Sequence, residues 1–358
     1  MEVKPELSSG RIFFAPLHWG LGHVSRCVPL IRHAAEKKFK ITVGVHDPQK
    51  TFLQGEIPGI ETINVPALEV RFGQSRIGTM ARLFSQGIRL PGLVKEEEKW
   101  LKEYLLHEPQ DLIVSDNRYG MHDRHTRSVI ITHQLKLQGL PFEHWSKKLI
   151  RKLLLPFDEV WIPDFENRRE SLAGVLSENE HHELNIRYIG PLSRFANHRQ
   201  SYSNSHLLFL ISGPEPQRSM FERLAVETAL RLKEKSVIVR GCMPSSIHKP
   251  IDNITFYDMA SGKELEPLLA SASVIICRSG YSSIMDLLAF RAPAILIPTP
   301  GQTEQEYLSK FLNGKHGFTG VPSNISPEQL SKILKDQIKN NASSQRSVQL
   351  NQIQHLIK

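Results

Sequence analysis

Short, wholly apolar runs recur along this chain, and between them lie polar loops followed by stretches whose apolar residues return every three or four positions. A continuous apolar run bounded by turn residues reads as a strand buried on both faces, and the longer period reads as a helix laid on the sheet. Strands are thereby predicted at 11–16, 41–45, 60–65, 111–115, 128–132, 159–163 and 186–190, then at 206–211, 236–241, 254–257, 274–277 and 294–297. Strand and helix in regular alternation predict α/β architecture with parallel sheets. The polar run at 197–205 breaks the alternation and reads as a linker. The expected organisation is a first domain at 1–195, a linker at 196–205, a second domain at 206–335, and a C-terminal helix at 336–358 that could pack back on the first domain.

The densest chemistry lies between Ala272 and Tyr307. The strand at 274–277 runs into Ser279-Gly280, a turn able to start a helix in which Ile284, Leu287 and Leu288 pack while Ser282, Ser283 and Asp286 point elsewhere. In a parallel sheet the strand ends and the following helix N-termini share one crevice, and the amides there favour an anion. Ser279, Gly280, Ser282 and Ser283 could hold a diphosphate, and Asp286 could accept from the paired hydroxyls of a ribose. Phosphate donors beside a diol acceptor describe a nucleotide. The loop 212–217 offers further amides to the same crevice, with Gly213 and Gln217 as candidate contacts.

The first strand runs into Leu17-His18-Trp19-Gly20-Leu21-Gly22-His23-Val24-Ser25, after which a helix is predicted with Ser25 as its N-cap and Pro29 in its first turn. Gly20 and Gly22 let the backbone approach a ligand. This is a near miss to the dinucleotide fingerprint, with Ser25 in place of the third glycine and Asp47 near the place of the ribose-binding acid, so a dehydrogenase is the rival reading of this segment alone. His23 could take a proton from an acceptor hydroxyl near neutral pH; the plainer alternative is a loop histidine bonded to backbone. Asp116 and Arg118, at the end of the strand at 111–115, are candidate acceptor contacts, and Asn117 a turn residue.

Composition narrows the classes. At 40% hydrophobic and 23% charged the chain reads as folded, and no apolar run is long enough to span a membrane. Residues 1–11 carry Glu2 and Glu6 and lack the apolar core of a secretory signal. Cys27, Cys242 and Cys277 are odd in number and far apart, which fits a reduced cytoplasm and no metal site; no Asp-x-Asp motif suggests a metal either. A net charge of +8 favours an anionic partner, and with 8% aromatics and no recognition signature nucleic acid is the weakest choice. Basic amphipathic stretches at 71–95 and 147–152 could lie on an anionic membrane surface, or could be ordinary helices with solvated cations.

Arg278-Ser279-Gly280, Asp286, Pro298 and Gln305-Glu306 resemble the signature of the family 28 glycosyltransferases, with Asp where that family has Glu and Glu306 where it has a second Gln. Gly22-His23-Val24-Ser25-Arg26-Cys27 is similar to the Gly-His loop of nucleotide-sugar hydrolases of the pseudaminic-acid pathway. Family 28 enzymes that build the lipid-linked peptidoglycan precursor also carry a Gly-His there. The resemblance implies the GT-B fold, two Rossmann-like doubly wound domains facing a central cleft. It implies a UDP-linked sugar as donor and His23 as base, with Arg194, four residues after Gly190, near the donor phosphates. Tyr281 and Ile254 are candidate walls of the base pocket, and Gln305 and Glu306 candidate contacts to the sugar. The expected function is an inverting, metal-independent and cofactor-free glycosyltransferase of cell-envelope glycan, with an acceptor that could be lipid- or glycan-linked. Its expected place is the cytoplasm, peripheral on the membrane. A hydrolase would use the same donor site with His23 acting on water, and a nucleotide-sugar-binding protein would need no base.

Overall fold

Arg11–Pro16 forms β1 at the middle of a first sheet, with Ile12, Phe13, Phe14 and Ala15 wholly enclosed. The computed structural model describes residues 10–67, 76–136, 143–195, 205–242 and 253–340 apart from Arg291, with Ile251 and a few positions from 350 to 357. After β1 come α1 (Leu21–Glu36), β2 (Lys40–Gly44), α2 (Gln49–Glu56), β3 (Glu61–Ile63), α3 (Arg76–His107), β4 (Leu112–Asp116), β5 (Arg127–Ile131), α4 (Glu143–Leu154), β6 (Glu159–Ile162) and β7 (Ile186–Tyr188). There follow β8 (His206–Leu210), α5 (Gln217–Leu232), β9 (Ser236–Val239), β10 (Ile254–Tyr257), α6 (Gly262–Ala270), β11 (Ala272–Arg278), α7 (Tyr281–Leu287), β12 (Ala294–Ile297), α8 (Thr303–Phe311), β13 (Phe318–Gly320) and α9 (Pro327–Asn340).

The first sheet has the order β3-β2-β1-β4-β5-β6-β7 and the second β10-β9-β8-β11-β12-β13, with every described pairing parallel. Each is a doubly wound, Rossmann-like domain, as the alternation predicted. The order reverses between β1 and β4 in one and between β8 and β11 in the other, so each sheet opens a crevice at the carboxyl ends of those two strands. The core of the second domain joins Phe209, Ile238, Ile276 and Ile295 from the sheet to Phe221 of α5 and Leu330 of α9. Each such fully enclosed side chain contributes about 1.5–3 kcal/mol, which is why these positions read as uninterrupted apolar runs.

Several expectations are corrected. Helix α1 starts at Leu21, not after Ser25, because Gly20 turns the chain at φ 81°, a conformation that a side chain would strain. His23 is therefore in the first turn of a helix, and Pro29 lies inside α1, where it forgoes a bond to the preceding turn. Helix α2 and strand β13 were not anticipated: one is mostly polar, the other only three residues long. Residues 336–358 are not one helix, since α9 ends at Asn340 and no further helix occurs among the described residues. Instead Lys37 Nζ donates to the carbonyl of Ile357 at 2.8 Å, and Gln349–Lys358 belong with the first domain. Of the linker at 196–205 only Ser205 is among the described residues, and of the basic stretch at 71–95 residues 71–75 are not.

Candidate active site

In the first domain the chain leaves β1 through His18, Trp19 and Gly20, and Gln49 of α2 pins this loop by donating to the carbonyls of Leu17 at 2.8 Å and Gly20 at 2.7 Å. The loop delivers the first turn of α1 to the β1/β4 crevice. Asp116 closes β4 opposite Pro16 of β1, so its carboxylate lies beneath that turn. His23 Nδ1 stands 3.3 Å from Asp116 Oδ1, and the His23 side chain is 18% exposed while that of Asp116 is wholly buried. With its proton on Nδ1 the ring donates to Asp116 and presents the Nε2 lone pair, as a general base held by a carboxylate does; in the other tautomer Nδ1 accepts from Arg26 and the proton sits on Nε2.

Arg26, one turn further along α1, donates from Nε to Asp116 Oδ2 at 2.7 Å and from Nη2 to Oδ1. Its Nη2 is also 3.0 Å from His23 Nδ1, and its Nη1 is 3.4 Å from Nδ1 of the buried His133 beyond β5. Burial opposes ionisation of Asp116, but the Arg26 guanidinium and His23 outweigh it and hold the carboxyl at about 2. Burial also pushes the His23 imidazole below its ordinary value; Asp116 draws it upward and Arg26 drives it further down. Burial and the Asp116 charge raise the neighbouring Tyr119 phenol to about 12, so it stays protonated.

The structure revises the roles expected of four residues here. Asp116 is wholly buried, too deep to meet an acceptor directly, and its carboxylate meets His23 and Arg26 instead. Arg118 is buried and committed to Glu97 at 2.9 Å, with its carboxylate completed by the amide of Gly120 at 2.9 Å. Arg194 is engaged in the first domain: Nη1 pairs with Glu56 at 3.0 Å and the guanidinium stacks 5.0 Å from the Phe52 ring centre. Gly22 is a residue of α1 instead of a loop glycine, and only Gly20 has the special backbone. Arg26 was quoted in the sequence motif without a role. Its spacing of three from His23 on one helix was the signal that they share a face.

In the second domain the loop after β8, the end of β11 and the β12–α8 turn meet at the β8/β11 crevice. Arg278 ties them together: Nη1 donates to the Pro298 carbonyl at 2.9 Å, Nη2 to the Gln217 carbonyl at 3.2 Å, and the guanidinium lies 4.4 Å from the Phe221 ring centre. Burial lowers this arginine to about 10, which still leaves it charged at neutral pH. No acidic partner of Arg278 occurs among the described residues, so a buried positive charge stands at the crevice. In the sequence Arg278 shows only as the first residue of the Arg-Ser-Gly motif, with nothing local to mark its role.

The other expected donor contacts divide. Ser212 and Gly213 are exposed, and Gly213 has φ 104°. Gly280 is the N-cap of α7, where an added Cβ would meet Ser283 Oγ at 3.9 Å, and Ser282, Ser283 and Asp286 are half-buried along that helix. By contrast Gln217 and Tyr281 are buried, and the Ser279 hydroxyl donates to the Gln305 carbonyl at 2.8 Å. Ile254 is buried in the core and so is not a pocket wall. Gln305 Oε1 accepts from the Thr299 amide at 2.9 Å and Glu306 Oε1 from the Gly301 amide at 3.1 Å, so both side chains brace the β12–α8 turn. Among the described residues no group of three or more His, Cys, Asp or Glu side chains could hold a metal ion.

Comparison with known proteins relates the chain to glycosyltransferases. Residues 243–358 match the glycosyltransferase family 28 C-terminal domain. The chain is 24% identical over 330 residues to the UDP-N-acetylglucosamine--N-acetylmuramyl-(pentapeptide) pyrophosphoryl-undecaprenol N-acetylglucosamine transferase of Sulfurihydrogenibium sp., covering 88% of this chain and 86% of that one. It is 21% identical over 347 residues to an uncharacterized glycosyltransferase of Methanosarcina acetivorans, covering 89% and 88%. Among solved structures it resembles the glycotransferase of kitacinnamycin, with TM-score 0.64, 14% identity and coverage of 94% and 93%. The spinosyn forosaminyltransferase SpnP is similar at TM-score 0.63, 13% identity and coverage of 95% and 93%. The fold is that of the GT-B glycosyltransferases.

Proposed function

We propose that this glycosyltransferase moves a sugar from a nucleotide-sugar, with UDP as the nucleotide, to an acceptor hydroxyl by direct, inverting displacement. The observation that carries the reading is His23: a mostly buried imidazole with 18% of its side chain exposed at the switch point of the first sheet, with Nδ1 against the buried carboxylate of Asp116. Its Nε2 would take the acceptor proton as the oxygen attacks the anomeric carbon. The leaving nucleoside diphosphate would be stabilised by backbone amides at 212–217 and 280–283 and by the buried charge of Arg278, which takes the part sequence reading gave to Arg194. Asp286 would accept from the ribose hydroxyls. These groups supply positive potential at the departing oxygen, so a metal is not required in this reading.

In this reading the acceptor is lipid-linked and is met at a membrane surface. The relative from Sulfurihydrogenibium is named for such an acceptor. The outward side of α4 is consistent with a membrane surface, for Lys148, Leu149 and Lys152 are exposed there and Leu155 follows directly. No helix of the described residues is long and apolar enough to cross a membrane.

The test is thermal stability of the purified protein against UDP, TDP, GDP, ADP and CDP, since a ligand that binds only the folded form raises the melting point. Nucleotide-sugars of the base that stabilises are then assayed for nucleoside diphosphate release with and without membrane extract. Selective stabilisation by UDP and release that depends on extract are expected. Release at full rate without any acceptor would instead make the protein a hydrolase, and no stabilisation by any nucleotide would remove the donor site.

A further inference from the structure

His23 does not face a lone carboxylate. Around it stand Asp116 from the end of β4, Arg26 from its own helix and His133 from beyond β5, with the Cys27 thiol donating to Asp116 Oδ2 at 3.7 Å and Tyr119 near the same carboxylate. In a simple His-Asp pair the negative charge orients the ring and also draws a proton onto it. Here both oxygens of Asp116 are engaged by a buried guanidinium that is only 2% exposed. The nearest Arg26 nitrogen is 3.0 Å from His23 Nδ1, closer than the carboxylate oxygen at 3.3 Å. A cationic imidazole would set two positive charges in contact with little water between them, which low dielectric penalises.

We propose that Arg26 is a positioning residue that separates the two effects of Asp116: by neutralising the carboxylate and setting its own charge beside the ring, it lets Asp116 hold Nδ1–H while the imidazole stays uncharged with Nε2 as its proton acceptor. A base kept neutral in this way is fully available at mildly acid pH, where an uncompensated His-Asp pair would already be protonated. The inference rests on reading His23 as the base, but its physical content is a property of the free protein and needs no substrate to be measured.

The experiment is histidine side-chain NMR titration of the full-length protein without ligand. In Arg26→Met the His23 midpoint should rise by about one pH unit or more, in Arg26→Lys it should stay near the wild-type value, and in Asp116→Asn it should fall by a similar amount. Once an acceptor is in hand, the acid limb of the kcat profile should move with the midpoint. Because Arg26→Met leaves a buried carboxylate alone and could prevent folding, Arg26→Met with Asp116→Leu is the companion variant. Its midpoint should lie within about half a unit of wild type, since the opposed charges leave together. An unmoved midpoint in Arg26→Met, or a fall of about one unit in the double variant, would overturn the inference. The two readings fail separately. Full activity in His23→Ala removes the base and leaves the titration intact, whereas an unmoved midpoint beside an inactive His23→Ala removes only the role of Arg26.

Discussion

His23 Nδ1 and Asp116 Oδ1 stand 3.3 Å apart across 93 residues of chain. The contact follows from the sheet order: β4 pairs with β1, Pro16 registers with Asp116, and the loop after β1 returns over the strand it has just left. A proton acceptor so placed contributes about 10²–10⁴-fold to a displacement. His23→Ala is expected to lower kcat by that range with donor KM changed less than about three-fold, because the proposed nucleotide contacts are all residues of the second domain. Steady-state kinetics on the donor identified by the stability screen decide it. A loss of kcat below about ten-fold would leave His23 without a chemical role.

Acid should weaken the fold, and the sign follows from two groups. Asp116 is held at about 2 against an ordinary 3.8, so its stabilisation is complete above the ordinary value and is lost as pH falls toward 2. That loss is on the order of 2 kcal/mol. His23 is held below its ordinary 6.5, so the fold prefers the neutral ring and loses stability as pH drops from 6.5 through the lowered value. Both slopes point the same way. Urea midpoints at about pH 7, 5 and 3 should decline in order, and Asp116→Asn should show a shallower decline in the most acid interval. A midpoint independent of pH would contradict the burial of this cluster.

How far the chain can be read without coordinates depends on how local the cause is. The apolar runs at 274–277 and 294–297 became β11 and β12 because a strand buried on both faces needs nothing but its own side chains to declare it. Helix α2 stayed hidden, for Phe52 and Leu53 are adjacent and give no period, yet it supplies Gln49 to the β1–α1 loop and Glu56 to Arg194. His23 was legible as a type of residue in a type of loop. Its partner Arg26 was in view three residues away, but the carboxylate that gives Arg26 meaning arrives from β4. The same holds for Arg278, whose contacts are backbone carbonyls of two loops distant in sequence. Gln305 and Glu306 brace a turn in the free protein, and a carboxamide or carboxylate in that position looks, in sequence, like one that waits for a sugar.

Gly120 should tolerate no side chain. A Cβ there would strike the Val94 carbonyl oxygen and stand 2.6 Å from Glu97 Cβ, on the carboxylate that holds Arg118. Helix α3 would have to move to admit it. Gly120→Ala should therefore cost at least about 1–3 kcal/mol, read as a lower urea midpoint at unchanged slope. A loss below about 0.5 kcal/mol would mean that α3 yields freely.

Asp286 tests the donor site without touching the base. If its carboxylate accepts from the ribose, Asp286→Ala should raise donor KM by about 10–100-fold, the worth of a hydrogen bond to a charged group, while kcat at saturation changes little. Stabilisation by UDP should fall in parallel in the thermal assay. Asp286→Asn, which keeps an acceptor oxygen, should lie between. An equal fall in kcat with KM unchanged would place this side chain at the reacting centre instead.

The outward side of α4 carries the last prediction. Lys147 pairs with Glu180 at 3.1 Å and Arg151 with Glu183, while Ile150 and Leu154 turn inward to the core. Lys148 and Lys152 remain outward at a spacing of four and have no acidic partner among the described residues, and Leu149 and Leu155 beside them are 46% and 51% exposed. Two cations flanking two exposed leucines suit the headgroup region of an anionic bilayer, where each lysine near the surface is worth about 1 kcal/mol. Lys148→Glu with Lys152→Glu should lower binding to vesicles containing about one-third phosphatidylglycerol by ten-fold or more in co-sedimentation. Neutral phosphatidylcholine vesicles should show no such difference, and raised salt should weaken the wild type toward the variant. Wild-type binding that is equal on both vesicle types, or absent from both, would leave α4 an ordinary solvated helix.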